Sequence, residues 1–319
     1  MAFAQDVTLR LQTFHSQDSL VGEGAQEFFD DLETMSDGRI EIEPFFSSAV
    51  VKSVETFDAA VNGILDADMT APAYQVGKDA AFQFVGDPMG GYDTPWQFYA
   101  FMYEGGGMEA SRALFADFGM YLVGIHIQAQ ESLASSKALK TVADLKNFKF
   151  RSPPGMETMV FANLGATPIV MDFTEVFTAL ESGVIDGADA ANLSTNKTLG
   201  LYDVVNHATY PGFHSLPANC LAIRLDLWES IPEDLKRIID VGYQKFAFRL
   251  TLTGSVETQQ AANELTAQGV ELHDWSTEDR ETFREAALKA WDSFADTDRA
   301  KEQVDMHRTF QKEIGLAKN

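Results

Sequence analysis

The chain has 319 residues, 45% of them hydrophobic and 11% aromatic, more than one core of roughly 250–300 residues holds and ample for two. A formal net charge of -24 and a pI near 4.5 argue against nucleic acid as a partner, because phosphate binding needs a basic face. The single cysteine, Cys220, excludes an internal disulfide and a thiolate metal site, and no run approaches the roughly 18 apolar residues of a membrane helix.

In chain order, Ala2-Phe3-Ala4 before Gln5 has the small-x-small pattern of a signal-peptidase site. Export with a mature start near Gln5 is one reading, an ordinary N-terminus with two alanines the other. Val7 to Leu11 alternates as a strand, Leu20 to Met35 has helical periodicity and stops at Ser36-Asp37-Gly38, and Ile40 to Glu43 alternates again. Glu55 to Ala59 followed by Gly63 predicts a helix with a glycine stop, then a strand from Ile64 to Met69. Gly105-Gly106-Gly107 lacks a following Lys-Ser/Thr and reads as a turn into a helix rather than a phosphate cradle. Cys220, between Asn219 and Leu221, reads as a small buried hydrophobe.

The second half repeats the logic. Phe148 and Phe150 share one strand face and leave Lys149 and Arg151 on the other, before Pro153-Pro154-Gly155. Met156, Val160, Phe161 and Leu164 form a helical stripe closed by Gly165, and Ile169-Val170 a short strand. Asp172-x-x-Glu175 has capping-box spacing, with Phe173, Val176, Phe177 and Leu180 as the buried stripe and Gly183 as the stop. Ser230-x-Pro232-Glu233 predicts a helix start, with helix-compatible sequence to Ala267, bends at Gly242 and Gly254, and a length of roughly 50 Å. Ser276-x-x-Asp279 starts another helix, and Asp296 to Ile314 a polar terminal one suited to docking on a partner subunit.

Glu55-Thr56-Phe57-Asp58-Ala59 with Gly63-Ile64-Leu65-Asp66 matches Glu175-Val176-Phe177-Thr178-Ala179 with Gly183-Val184-Ile185-Asp186 at one constant offset. The same helix-to-strand unit in each half suggests two α/β lobes with mostly parallel sheets and a small-molecule cleft between them; common α/β punctuation is the blander account. Arg151, at a strand end before a sharp turn, stands where open α/β sheets place ligand groups, and a guanidinium fork matches a carboxylate; the alternative is a surface arginine paired with an acid. Asp189 could hold a cation, orient a ligand hydroxyl or cap a loop, with Ala190 and Asn192 beside it. Gln128 and Gln130 are amide candidates for the same site or for interdomain hydrogen bonds. Tyr74, Trp96 and Phe213 are pocket walls or core, and His214 lies where the chain returns to the first lobe. The six histidines show no H-x-x-x-H or H-E-x-x-H pair, so a histidine metal site is not expected, nor is an enzyme, with no nucleophile motif or acid/base pair in view.

The stretch Phe148-Lys149-Phe150-Arg151 to Asp186-Gly187-Ala188-Asp189, with Leu164 to Pro168 as L-G-x-x-P and an E-x-[YF]-x-A-L segment, resembles the core signature of TRAP transporter periplasmic solute-binding proteins. Thr56 to Val61, Tyr74 to Phe82, Tyr103 to Gly107, Leu199 to Val204 and Tyr210 to His214 are similar to the subgroup that binds α-keto acids and lactate. The resemblance covers nearly the whole chain. It implies a two-lobed, type II-like periplasmic binding protein fold joined by crossover strands and a long helix spanning both lobes. Lobe I would comprise residues 5–125 and 212–245, lobe II residues 126–211 and 246–295, and residues 296–319 a C-terminal helix of the kind subgroup dimers exchange. It further implies a periplasmic location, hinge closure on a small organic carboxylate, a 2-oxo or 2-hydroxy acid, and delivery to TRAP permease subunits.

By position, the resemblance makes Arg151 the carboxylate ligand. Asp189 stands for a metal-binding glutamate and Gln130 for a metal-binding glutamine, with no cofactor required beyond a bridging Na+ or Ca2+. Ala190 in place of the subgroup's tryptophan, and Ser215 in place of its glutamate, put that ion and a pyruvate-sized ligand in doubt. A sulfonate, a zwitterionic osmolyte, or an enzyme acting on organic acids are the competing expectations.

Overall fold

The computed structural model describes residues 7–153, 155–171 and 175–316. The expected cleavage site at Ala4, the capping role of Asp172, the burial of Phe173 and the position of Pro154 lie outside the described residues.

Strands β1 (Val7–Thr13), β2 (Ile40–Phe45), β3 (Ala67–Met69), β4 (Met120–Ile127), β5 (Ser132–Ser135), β6 (Lys149–Ser152), β7 (Thr167–Val170), β8 (Gly187–Ala191), β9 (His207–Thr209), β10 (Ala218–Arg224) and β11 (Glu271–His273) form two sheets. Lobe I holds the order β2-β1-β3-β10-β4 and lobe II the order β11-β9-β5-β8-β6-β7. The helices are α1 (Leu20–Met35), α2 (Thr56–Val61), α3 (Ala81–Gly86), α4 (Pro95–Glu104), α5 (Gly107–Asp117), α6 (Met156–Asn163), α7 (Val176–Glu181), α8 (Leu193–Thr198), α9 (Leu225–Ser230), α10 (Glu233–Ala267), α11 (Thr277–Phe294) and α12 (Asp298–Glu313).

Both sheets are mixed rather than mostly parallel. In lobe I, β1 runs parallel to β2 and β3, while β10 is antiparallel to β3 and β4. In lobe II, β6 runs parallel to β7 and β8, while β5 is antiparallel to β8 and β9. The antiparallel strands belong to the two crossings, β4 into β5 and β9 into β10. A chain that must leave one sheet and enter the other feeds its strands in the reverse sense, which helix-strand periodicity alone does not reveal.

The repeat is structural. Gly63 and Gly183 both adopt positive φ (75° and 71°), and each ends its helix with paired 5→2 and 6→1 bonds: Gly63 N to Ala60 O with Ile64 N to Ala59 O, and Gly183 N to Leu180 O with Val184 N to Ala179 O. This Schellman turn puts Ile64 and Val184 at the surface, 53% and 54% exposed, so each strand starts three residues later than alternation predicts. Asp66 N then donates to Arg10 O and Asp186 N to Lys149 O, and each carboxylate accepts the amide of that same partner. Gln12, opposite Asp68, is therefore the lobe I equivalent of Arg151, opposite Ala188. Phe57 is buried but its counterpart Phe177 is 36% exposed, against expectation, because the short α7 turns only Val176 and Leu180 into the sheet.

Helix α10 is one uninterrupted element of 35 residues that packs on α1 and β4 of lobe I and on α8 and β11 of lobe II. Ser230 does not cap it. That hydroxyl donates to Leu227 O at the end of α9, and Pro232 is the N-cap residue. The two glycines are contact points rather than bends. A Cβ at Gly242 would meet Leu32 and Phe28 side chains, and one at Gly254 would lie 2.4 Å from Gln128 O. Helix α12 folds back onto α3 and α5 of its own chain, burying Val304, His307 and Phe310. His307 stacks on Phe101 at 3.8 Å and bonds Tyr92 Oη (2.8 Å). Its apolar face is thus covered within the chain, and an exchanged dimer would make these contacts between two chains. Cys220 is fully buried, as read, and Gly106 (φ 83°) is simply the N-cap residue of α5.

Candidate functional site

Strand β6 is short and second from the edge of its sheet, with β7 and β8 parallel on either side, so three C-terminal strand ends lie together. Phe148 and Phe150 stack 5.6 Å apart in the core, which sends Arg151 to the other face. There it is only 7% exposed. Its Nη1 donates to Asp189 O (2.6 Å) and its Nε to Met171 O (3.3 Å), backbone carbonyls of the flanking strand ends. Two such anchors hold the guanidinium in place before any ligand arrives.

Asp189 owes its direction to an irregularity. Ser132 pairs with Ala191 and Ala134 with Ala188, so two steps along β5 face three along β8. The extra residue falls at Asp189-Ala190, and bulges of this kind re-aim a side chain. Asp189 Oδ1 comes to rest 3.1 Å from His214 Nε2, both residues buried. Ala190 packs against the apolar cluster of Val176, Leu180 and Ala188.

Three further carboxyls converge there. Glu131 is partly exposed as a residue, but its carboxylate joins Asp189 and His214, their ligand atoms all within 4.8 Å of one another. Glu157, in the first turn of α6, is 4% exposed with Oε1 buried and unpartnered among the described residues. Asp87 follows α3 of lobe I and accepts from Ser215 Oγ (2.8 Å).

Their acidities diverge. Burial raises Glu131 well above the usual carboxylate range, reinforced by the charges of Asp189 and Asp87. Burial and the charge of Asp189 raise Glu157 likewise. Asp87 is pushed up to about 7, chiefly by burial against the opposing Ser215 bond. Burial also acts on Asp189, but His214, the bond from Glu157 and the charge of Arg151 hold it at about 2. One carboxylate is thus held acidic beside the arginine while its neighbours are shifted the opposite way.

The chamber lies at the seam of the lobes. Arg151, Glu157 and Asp189 come from lobe II, Glu131, His214 and Ser215 from the two crossings, and Asp87 from lobe I. Gln83 of α3 closes it, its Oε1 accepting from Met156 N (3.2 Å) at the start of α6 and its Nε2 donating to Asp87 O (2.8 Å).

The structure thus brings Arg151, Asp189 and His214 together and leaves other expected residues elsewhere. Gln130 donates to Asp93 O, away from Asp189; the oxygen donor at that place is its neighbour Glu131. Asn192 caps α8, accepting from Thr195 N and Ser194 Oγ. Phe213 packs on Trp275 (4.3 Å) and Phe283 (5.4 Å), behind His214. Tyr74 stays in lobe I with its ring 6.1 Å from Phe14. Trp96 is 43% exposed, its ring tilted against Phe248 at 5.6 Å on the surface. Gln128 bonds Thr195 Oγ1 (3.2 Å) across the crossing. Asp87, Glu131, Glu157 and Gln83 were missed. Only Glu131, next to a named glutamine, carried a local signal.

Sodium and calcium take oxygen ligands; the Glu131 and Asp189 carboxyls, grouped with His214, could supply two, and Glu157 adds a buried, unpartnered Oε1 to the same chamber.

Residues 11–298 match the bacterial extracellular solute-binding protein family 7, DctP. The chain is 26% identical to the monocarboxylate 2-oxoacid-binding periplasmic protein of Nostoc sp., covering 91% of this chain and 80% of that one. A TRAP periplasmic solute-binding protein of Rhodobacter sphaeroides, solved in an apo open form, is 32% identical with a TM-score of 0.83, over 97% of this chain and 99% of that one. Another from Pseudoalteromonas atlantica, with bound sodium and pyruvate, is 24% identical with a TM-score of 0.84, over 97% and 95%. With nine-tenths of its length matched, the chain belongs to the DctP family of bacterial extracellular solute-binding proteins, the two-lobed periplasmic carriers of TRAP transport rather than enzymes.

Proposed function

We propose that the protein captures a small organic carboxylate, a 2-oxo or 2-hydroxy acid, by closure of lobe I (residues 5–125 and 212–245) on lobe II (residues 126–211 and 246–295), and hands it to a TRAP permease. Export with cleavage near Ala4 belongs to the same proposal, as does a homodimer formed through the C-terminal helix, residues 296–319. The observation that carries it is Arg151, a buried cation fixed by two backbone carbonyls at the seam of the lobes. An anion of matching shape stabilises such a group, and a carboxylate meets a guanidinium fork with two oxygens.

The arginine alone is insufficient. A charge-assisted hydrogen bond contributes about 1.5–3 kcal/mol, whereas micromolar affinity needs about 8. Enclosure under Gln83 and Asp87 supplies water exclusion, and an ion at Glu131 and Asp189 would add charge for the acid's remaining oxygens. The Nostoc relative named for 2-oxoacids and the Pseudoalteromonas structure with sodium and pyruvate support this class. A zwitterionic ligand is the second reading, favoured by four carboxyls crowding one arginine.

A thermal-shift screen of the full chain tests it, with pyruvate, lactate, dicarboxylates, sulfonates and zwitterionic osmolytes, each with and without EDTA in sodium-free buffer. Saturation at 100 times Kd stabilises by about 2.7 kcal/mol, which is readily seen. Monocarboxylic 2-oxo or 2-hydroxy acids should raise the melting temperature. A response confined to sulfonates or zwitterions would overturn the assignment.

A further inference from the structure

On the far edge of lobe II, His207 of β9 and Glu271 of β11 are registered partners in a parallel pair, and His273 lies two residues beyond Glu271. Register and the two-residue strand period put all three side chains on one face. The rings converge, centroids 5.1 Å apart and tilted by 28°. His207 Nδ1 lies 3.0 Å from His273 Nε2 and 3.9 Å from Glu271 Oε2, and the three ligand atoms fall within 4.8 Å of one another. His273 is buried, the His207 side chain is 13% exposed, and that of Glu271 is 57% exposed. Lys140 and Asp144 are the other charged groups acting on His273.

We propose that His207, His273 and Glu271 form a metal site, separate from the solute chamber, for a zinc-class transition ion. Tetrahedral zinc with bonds of about 2.0–2.1 Å sets its ligand nitrogens about 3.3 Å apart, so the observed 3.0 Å needs only a small spreading of the rings. Two imidazoles and one carboxylate suit zinc or its neighbours, whereas sodium and calcium prefer carboxylate oxygens, which supply two of the three ligand atoms at Glu131, Asp189 and His214. Water completes the fourth position. The ion would pin the three-residue edge strand β11, which follows the end of α10, onto β9, which leads into the crossing that carries His214.

The test uses the full, untagged chain stripped with EDTA, titrated with Zn2+ by calorimetry and with Co2+ by visible absorption. One ion should bind per chain, with a tetrahedral Co2+ spectrum. His207→Ala and His273→Ala should each weaken binding by far more than about tenfold and abolish that spectrum. Glu271→Gln, an exposed change that leaves the fold intact, should weaken it about tenfold. Asp189→Asn and Glu131→Gln should change neither. The proposal is overturned if the stripped chain binds no zinc at about 100 µM, if His207→Ala and Glu271→Gln bind as the parent does, or if binding is lost in Asp189→Asn instead.

Discussion

Replacing Arg151 separates two roles that the structure gives it. In Arg151→Ala, Asp189 O and Met171 O lose the donors that satisfy them in a buried setting. Each unsatisfied group costs about 1–3 kcal/mol, so the ligand-free protein should lose about 2–6 kcal/mol, a large share of a typical 5–15. Ligand binding should fall as well, because the fork to a carboxylate contributes about 2–4 kcal/mol, or roughly 30- to 1,000-fold. Arg151→Lys keeps the charge but offers no planar fork for two carbonyls and a ligand at once. It should recover part of the stability and little of the affinity. Denaturant unfolding of the ligand-free variants gives the first quantity, and calorimetric titration with the best acid from the screen gives the second. If Arg151→Ala bound that acid within about threefold of the parent, the carboxylate role would be wrong. If it bound weakly but unfolded like the parent, the anchoring by Met171 and Asp189 would be wrong.

Asp87 tests the charge balance of the chamber. Its folded pKa of about 7 lies above the usual carboxylate value, so its contribution to stability is complete at low pH and is lost as pH rises to about 7. Asp87→Asn removes this dependence, and relative to the parent it should gain about 2–3 kcal/mol between pH 5 and pH 8. An unchanged difference between the two melting temperatures across that range would show that the carboxyl is hydrated. The glycines of α10 make a paired test. At Gly254 an added methyl would lie 2.4 Å from the Gln128 carbonyl, backbone that no rotamer change can move, whereas at Gly242 it meets side chains at 3.1–3.2 Å. Gly254→Ala should lose about 1–2 kcal/mol despite a helix-propensity gain of about 1, and Gly242→Ala should be near neutral. Equal urea midpoints for the two variants would refute a tight crossing at Gln128.

Much of the local structure was written in short stretches. Helix α1 begins and ends where the sequence places it, Ser276 caps α11, and Gly63 and Gly183 stop their helices. These features rest on side chains within four residues of one another, and apolar period and capping chemistry are sufficient to fix them. Arg151 was legible too, because strand alternation and a following turn are local facts.

The acids around it were not. Glu131, Glu157 and Asp87 are ordinary surface residue types, and their burial depends on elements far apart in sequence meeting at the seam. The resemblance points to Gln130, whereas Glu131 beside it joins the cluster, because sequence alone does not tell which of two adjacent side chains turns inward where a strand leaves its sheet. His207 and His273 illustrate the same limit. No histidine spacing links them, yet the parallel pairing of β9 and β11 sets their nitrogens 3.0 Å apart. The chain by itself determined the repeated unit, the helix ends and the arginine at a strand end, since these follow from near-neighbour sterics and hydrophobic period. Tertiary structure alone decided which carboxyls face that arginine and which histidines meet, because desolvation and charge pairing depend on distances through space rather than along the chain.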